Sequence, residues 1–363
     1  ALQDLSIVGC SSFAIKNDMT EDGQLLIARN FDFYMGDDFS KNKLVLFNRP
    51  TEGIPYASIT WAGFMGVVSG MNLEGLTVTL NASKSTIPAG AKTPISLLAR
   101  EILQYASTIN EAIVIAKKRE NFVSESILVG SAIDGRAVII EKSPDALDVY
   151  DTNENLMICT NHYQSASFAN EQVNLKNIRD SDSKYRFDRL TELLTRSNSL
   201  NVDSAVHILR ERRGLSEVEL GIGNPKCINQ LLAHHGVVFQ PHKKRFWVSS
   251  PPFQMGRFLC YDLDEIFSMD SVPTENITID TLTIAEDPFL HNGGIWKFIE
   301  FKKLKNELFD SYALGKTIQW SDKKEKRLVE VNPESYVTYM ALGDYYATIG
   351  DCEKAISYYQ ISL

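Results

Sequence analysis

No apolar run in the sequence approaches the ~20 residues that a helix needs to cross a bilayer, and its first residues lack the charged, apolar and small-residue succession of a signal peptide. Basic charge is also in short supply: 37 Lys and Arg against 46 Asp and Glu leave a net charge of -9. Such a chain carries no global field for phosphate backbones, and the basic run "KKEKR" at residues 323–327 is offset by neighbouring acids. Neither nucleic acid nor a membrane span is expected, and the compartment stays open. Cysteine is scarce as well. Cys10, Cys159, Cys227, Cys260 and Cys352 are odd in number, far apart and without C-x-x-C or Cys/His ligand spacing, so neither a disulfide framework nor a zinc site is expected. No organic cofactor or metal is called for.

What is present is enough apolar sequence for a large core: 44% of 363 residues are hydrophobic, sufficient for one large domain and a smaller one. Short β patterns come first, among them "SSFAI", "GQLLIARNFDF", "KLVLFN", "ASITWAG", "GVVSGMN" and "GLTVTLNAS", separated by turn residues. In "TPISLLAREILQYAS", Ile95, Leu98, Ile102 and Tyr105 recur at helical spacing behind a Thr93 cap and Pro94, and "INEAIVIAKKRE" extends that helical layer. Strands resume in "SILVGSAIDGRAVIIEKS", with a hairpin at Asp134 and Gly135, and in "ALDVYDT" and "LMICTNH". Two helices, "SDSKYRFDRLTELLTRS" and "VDSAVHILRERRG" with Gly214 as the stop, precede a last β set that turns at residues 241–244. Blocks of strands and helices in this order predict a layered α+β core over residues 10–290.

From residue 291 to 363 the pattern is helical. Counted from Tyr336, the residues Tyr339, Leu342, Gly343, Tyr346, Ala355 and Tyr359 resemble one tetratricopeptide repeat over about residues 333–363. One such repeat cannot bury its own face, so this helical appendage is expected to pack on other helices or on the core, or to offer a surface for a protein partner or self-association.

Cys10, in "VGCSSFAI", carries the chemical argument. A hairpin from its strand to "LLIARNFDF" would return Arg29 and Asp32 beside it. Arg29 is expected to favour thiolate over a free thiol of pKa about 8.5, and Asp32 to accept hydrogen bonds from an ammonium group, which would exist if the Gly9–Cys10 bond were cut. The order Cys10 then His162 is also compatible with a papain-like cysteine peptidase. A scaffold that works through its helical tail is the non-enzymatic alternative.

The run of "GCSS", "DGQLLIARNFDF", "WAGFMGVVSGMNLEGLTVTLNAS", "ICTNHYQ" and "DSKYRFDRL" resembles the N-terminal-nucleophile linear amide hydrolases over about residues 9–264. Within them it is most similar to the self-processing acyl-coenzyme A:6-aminopenicillanic acid acyltransferases, with choloylglycine hydrolases and acid ceramidase as more distant relatives. The resemblance implies a four-layer αββα sandwich and a thioester-forming amide hydrolase or acyltransferase for a small N-acyl substrate, with an acyl thioester as an alternative donor. Cys10 matches the nucleophile, freed by self-cleavage, whose own α-amine acts as base; residues 1–9 are then a leader remnant. Arg29 and Asp32 match the pair that orients this amine. Asn81 matches a residue of the substrate and oxyanion site, and Asn161 the side-chain donor that completes the oxyanion hole, typically worth about 3 kcal/mol of barrier. Arg186 matches an arginine of the site's charge network, with Arg189 one turn away as the alternative. Cys-Ser replaces the Cys-Thr usual in these acyltransferases, and the helical tail lies outside their pattern.

Overall fold

The computed structural model describes residues 9–36, 38–85, 92–197, 199–270, 276–313 and 320–363. Most of the expected leader, residues 1–8, therefore lies outside the described residues.

The chain divides into two compact units, one comprising residues through Arg210 together with Leu232–Glu286, the other Glu211–Leu231 and Asp287–Leu363. The first contains two sheets. β1 (Ser11–Ile15) and β2 (Leu26–Phe31) form a hairpin, followed by β3 (Lys43–Asn48), β4 (Tyr56–Trp61), β5 (Ser69–Asn72) and β6 (Leu76–Ala82). Helices α1 (Ile95–Tyr105) and α2 (Ile109–Lys118) come next, then β7 (Glu125–Ser131), β8 (Arg136–Lys142), β9 (Leu147–Tyr150) and β10 (Leu156–Cys159). Helices α3 (Gln172–Asp180), α4 (Ser183–Thr195) and α5 (Val202–Leu209) lead to β11 (His235–Gln240), β12 (Arg245–Ser249), β13 (Phe258–Asp262) and α6 (Leu263–Ser268). One sheet runs β10-β1-β2-β11-β12-β13 and the other β3-β4-β5-β6-β7-β8-β9, with antiparallel pairing in both.

Strand alternation decides the layers. Ile27, Val237 and Phe239 of the first sheet meet Ala57, Ile59, Leu128 and Ile139 of the second in one apolar cluster. The opposite face of the second sheet, through Val78, Leu80, Ile127, Val129 and Val138, packs on Leu98, Ile102 and Ala112 of α1 and α2. Helices α4 and α5 lie against β10, β1, β2 and β11. The result is the expected αββα sandwich of an α+β fold. The sheets approach so closely at Gly130 that an added Cβ would sit 2.2 Å from Ile27 Cδ1. The β7–β8 turn holds Gly135 at φ +62°, as its hairpin requires.

Three local expectations shift. Pro94, not Thr93, occupies the N-cap of α1, because Thr93 pairs its backbone with Asn121. Helix α5 stops at Leu209, five residues before Gly214. The segment Glu211–Leu231, read as part of the first domain, groups instead with the helical unit.

That unit contains α7 (Gly294–Ala313), α8 (Asp322–Val331), α9 (Tyr336–Thr348) and α10 (Cys352–Ser362). Phe301, Leu304, Leu308, Leu328, Leu342, Tyr346 and Ala355 form its core. α9 and α10 pack so tightly that a Cβ at Gly343 would lie 2.5 Å from the Tyr359 ring. Among the described residues no helix is long and apolar enough to cross a membrane.

Candidate active site

Cys10 sits immediately before β1, with no exposed surface. The β1–β2 register pairs Ser12 with Arg29, so the hairpin returns Arg29 and Asp32 to the cysteine. Arg29 Nη2 lies 3.5 Å from Cys10 Sγ. The Asp32 carbonyl accepts the Gly9 N–H at 3.0 Å and a long contact of 4.0 Å from Cys10 Sγ. The two Nη groups of the guanidinium also reach the other sheet, while Nε has no hydrogen-bond partner among the described residues. Its Nη1 donates to Val68 O and Ser69 Oγ, each at 2.5 Å, its Nη2 donates to Leu80 O, and Cζ stands 4.6 Å above the Phe31 ring. Arg29 thus joins the nucleophile's strand pair to the other sheet.

Two electrostatic features follow from this burial. Both carboxylate oxygens of Asp32 are buried and lack any hydrogen-bond partner among the described residues. Burial pushes this acid up to about 7, although Arg186 and Arg29 pull the other way. Burial likewise raises the Cys10 thiol above its ordinary range, outweighing the pull of Arg29, and the charge of Asp32 adds to the rise. Desolvation thus works against the thiolate that Arg29 was expected to favour.

Arg186, on α4, gathers the chain around the Gly9–Cys10 bond. Its Nη1 donates to Gly9 O at 2.7 Å, Cys10 O at 2.6 Å and Ser11 Oγ at 2.9 Å. Its Nη2 donates to Asn161 Oδ1 at 2.8 Å. Asn161 is further fixed by its N–H to Ser183 Oγ at 2.7 Å and by Nδ2 donating to Ala82 O at 2.9 Å, and Nδ2 carries a second hydrogen beyond that bond. Arg189, the alternative arginine, donates to Glu192 at 2.8 Å. Asn81 lies on β6. Its Oδ1 accepts from Ser12 Oγ and its Nδ2 donates to Cys159 O, both at 2.9 Å, so its side chain braces β6 against β1 and β10. His162 directs Nδ1 to Ser183 Oγ at 2.8 Å and Thr160 Oγ at 3.1 Å. Burial, with Lys184 and Arg186 nearby, lowers it to about 4. No Cys10–His162 hydrogen bond exists among the described residues, and the papain-like pairing is not formed.

Three polar residues beside the site escaped the sequence reading. Ser69 Oγ, which receives Arg29, lies 2.8 Å from His235 Nε2, and His235 Nδ1 lies 2.8 Å from His234 Nδ1. The available signal was the adjacent pair "HH" opening an apolar strand pattern, where a buried imidazole needs a partner. Among the described residues no group of three His, Cys, Asp or Glu side chains is arranged to hold a metal.

A family model described as acyl-coenzyme A:6-aminopenicillanic acid acyl-transferase matches residues 19–251. Arg29, Asp32, Asn81, Asn161 and Arg186 fall inside that span, and Cys10 precedes it. Among curated relatives, an uncharacterized protein of Archaeoglobus fulgidus is 25% identical over 236 residues, covering 58% of this chain and 38% of its own. The N-acylethanolamine-hydrolyzing acid amidase of Caenorhabditis elegans is 27% identical over 169 residues, covering 42% of this chain and 46% of its own. The chain thus spans less than half the length of these curated relatives. Among solved structures, an N-acylethanolamine-hydrolyzing acid amidase ortholog from Caenorhabditis elegans aligns with TM-score 0.46 and 20% identity over 64% of this chain and 93% of that one. A variant of conjugated bile acid hydrolase from Clostridium perfringens aligns with TM-score 0.46 and 14% identity over 70% and 93%.

Proposed function

The chain belongs to the acyl-coenzyme A:6-aminopenicillanic acid acyl-transferase family, and from that premise we propose that it is a self-activating amide hydrolase or acyltransferase in which Cys10 forms a thioester with a small N-acyl substrate. The observation that carries the proposal is the buried, partnerless carboxylate of Asp32. A buried acid without a hydrogen bond is costly, and an α-ammonium released at Cys10 is the group that would relieve it.

In the activation step, Cys10 Sγ attacks the Gly9 carbonyl carbon and the C–N bond to Cys10 breaks. The thiol hydrogen ends on the departing nitrogen, which becomes the α-amine. Water then hydrolyses the Gly9 thioester, returning a thiol and leaving Gly9 as a carboxylate. Arg186 Nη1, 2.7 Å from Gly9 O, is suited to hold the negative charge that develops there. With Gly9 still attached, the same nitrogen is an amide and cannot serve as base.

In catalysis the freed amine takes the Cys10 thiol proton, and the thiolate adds to the substrate amide carbon. Asp32 accepts hydrogen bonds from the resulting ammonium, and Asn161, fixed by Arg186 and Ala82, offers its remaining Nδ2 hydrogen to the oxyanion. The departing amine takes a proton from the ammonium, leaving an S-acyl cysteine. Attack by water completes hydrolysis, and attack by another amine or a thiol completes acyl transfer.

The test is intact mass spectrometry before and after incubation, followed by exposure to a panel of N-acyl amides. The wild type is expected to lose every residue ahead of Cys10 and then to gain acyl mass on Cys10, and Cys10→Ala to do neither. Amidase activity that depends on Cys10 in a chain never cut at Gly9 would overturn the free-amine mechanism.

A further inference from the structure

The hydrogen-bonded series that starts at Arg29 has a direction. Arg29 can only donate, so Ser69 Oγ accepts its Nη1–H and must send its own hydrogen elsewhere. His235 Nε2 is the partner within reach, at 2.8 Å. Accepting there leaves the His235 hydrogen on Nδ1, from which it donates to His234 Nδ1 at 2.8 Å. His234 then carries its hydrogen on Nε2. Doubly protonated rings are disfavoured, because both imidazoles are buried, face each other, and lie in the field of Arg29 and Lys43. The series therefore ends in an N–H donor, and that Nε2 is buried with no acceptor among the described residues.

The surroundings of this donor are aromatic. Ring centroids of Phe39, Trp61 and Phe31 stand 4.5, 5.4 and 6.2 Å from that of His234. Trp61 stacks on Phe31 and Phe64, and Phe39, Trp61 and Phe64 are only half-buried. The cluster begins one guanidinium from the nucleophile, since Arg29 touches both the Phe31 ring and Cys10 Sγ. An apolar wall within reach of a thioester, with one unused donor in it, has the makings of a selective subsite.

We infer that this cluster receives the acyl group, displacing the Phe39 ring, and that His234 Nε2–H selects acyl groups that combine an apolar body with an oxygen acceptor. The inference rests on the amidase reading above. A site built to donate to a substrate oxygen discriminates strongly against the analogue that lacks it, because the buried donor is then left unpaired.

The experiment compares kcat/KM of the full chain on straight-chain N-acyl anilides with and without a keto oxygen stepped along the acyl chain. At one position the keto oxygen is expected to raise kcat/KM by about tenfold or more, mainly through KM. His234→Phe brings that ratio to near one, and His234→Gln, which keeps an N–H donor, retains part of it. Ser69→Ala, which removes the hydroxyl that sets the direction of the series, lowers the ratio too and serves if His234→Phe does not fold. Hydrolysis of both substrate sets with no preference at any position, or a preference that persists in His234→Phe, overturns the inference alone. Failure of every anilide to react or to leave an acyl adduct on Cys10 overturns the amidase reading and this inference with it.

Discussion

In the sheet unit Arg29, Asp32, Asn81 and Arg189 are wholly buried, and Arg186 nearly so. In the helical unit the wholly buried positions include Leu308, Leu328 and Leu342, while charges on α7 and α8, such as Arg327 with Glu300 and Lys324 with Glu307, stay in contact with water. Burying a charge is expensive unless it is fully paired. The pairs on α7 and α8 avoid that cost and the buried Asp287 is paired with Arg212, whereas the sheet unit buries charge at the Gly9–Cys10 bond and leaves the Asp32 carboxylate without a hydrogen bond.

The largest expected effect tests the unpaired carboxylate. Burial moves Asp32 from 3.8 to about 7, so the folded state holds its proton more tightly than the unfolded one and stability falls as pH rises through that window. In an uncleaved Cys10→Ala background, adding Asp32→Asn should change little near pH 4. It should stabilise progressively toward pH 7, by on the order of 4 kcal/mol at about 1.4 kcal/mol per pH unit. Chemical denaturation of the pair across that range is the measurement, and a pH-independent difference would remove the argument. Next, Arg186→Met should slow release of the residues ahead of Cys10 by about 10² to 10³-fold, read by mass spectrometry over time, with circular dichroism as the check on folding. On the other side of the comparison, Leu328→Ala should cost the helical unit about 3 kcal/mol while self-cleavage proceeds at the wild-type rate. Smallest of all, Glu300→Gln should leave the thermal midpoint of that unit nearly unchanged in moderate salt, because both partners of Arg327–Glu300 are solvated and screened.

The parts of this molecule that follow a local period were legible in the sequence. Alternation in β4 to β8 and the apolar spacing of α1 and α2 anticipated the layered core, and the short connection between β1 and β2 anticipated Arg29 and Asp32 beside Cys10. Helix α3 was not anticipated, since the side chains it buries are Asn174 and Asn177, which leave no apolar stripe to read. The segment at residues 211–231 joins the helical unit through contacts such as Asn332 Oδ1 with the Ile222 N–H, a pairing 110 positions apart that no window of sequence reveals. The braced state of Asn81 and the Ser69, His235 and His234 series depend likewise on strands brought together from distant parts of the chain. The desolvation that raises the Cys10 thiol depends on burial depth, which residue identity alone does not supply.

β2 is hydrogen-bonded along both edges, to β1 and to β11. Sliding such a strand by one residue would exchange its two faces and turn Asn30 to where Arg29 now stands. Past Asp32, whose carbonyl accepts the Gly9 N–H, the chain carries Phe33 and Phe39 outside the two-edged pairing of β2. Substitutions at Phe33 and Phe39 can therefore alter the aromatic cluster while the paired strand keeps its register, so laboratory selection for new acyl preferences should find its tolerated changes there and almost none from Leu26 to Asp32.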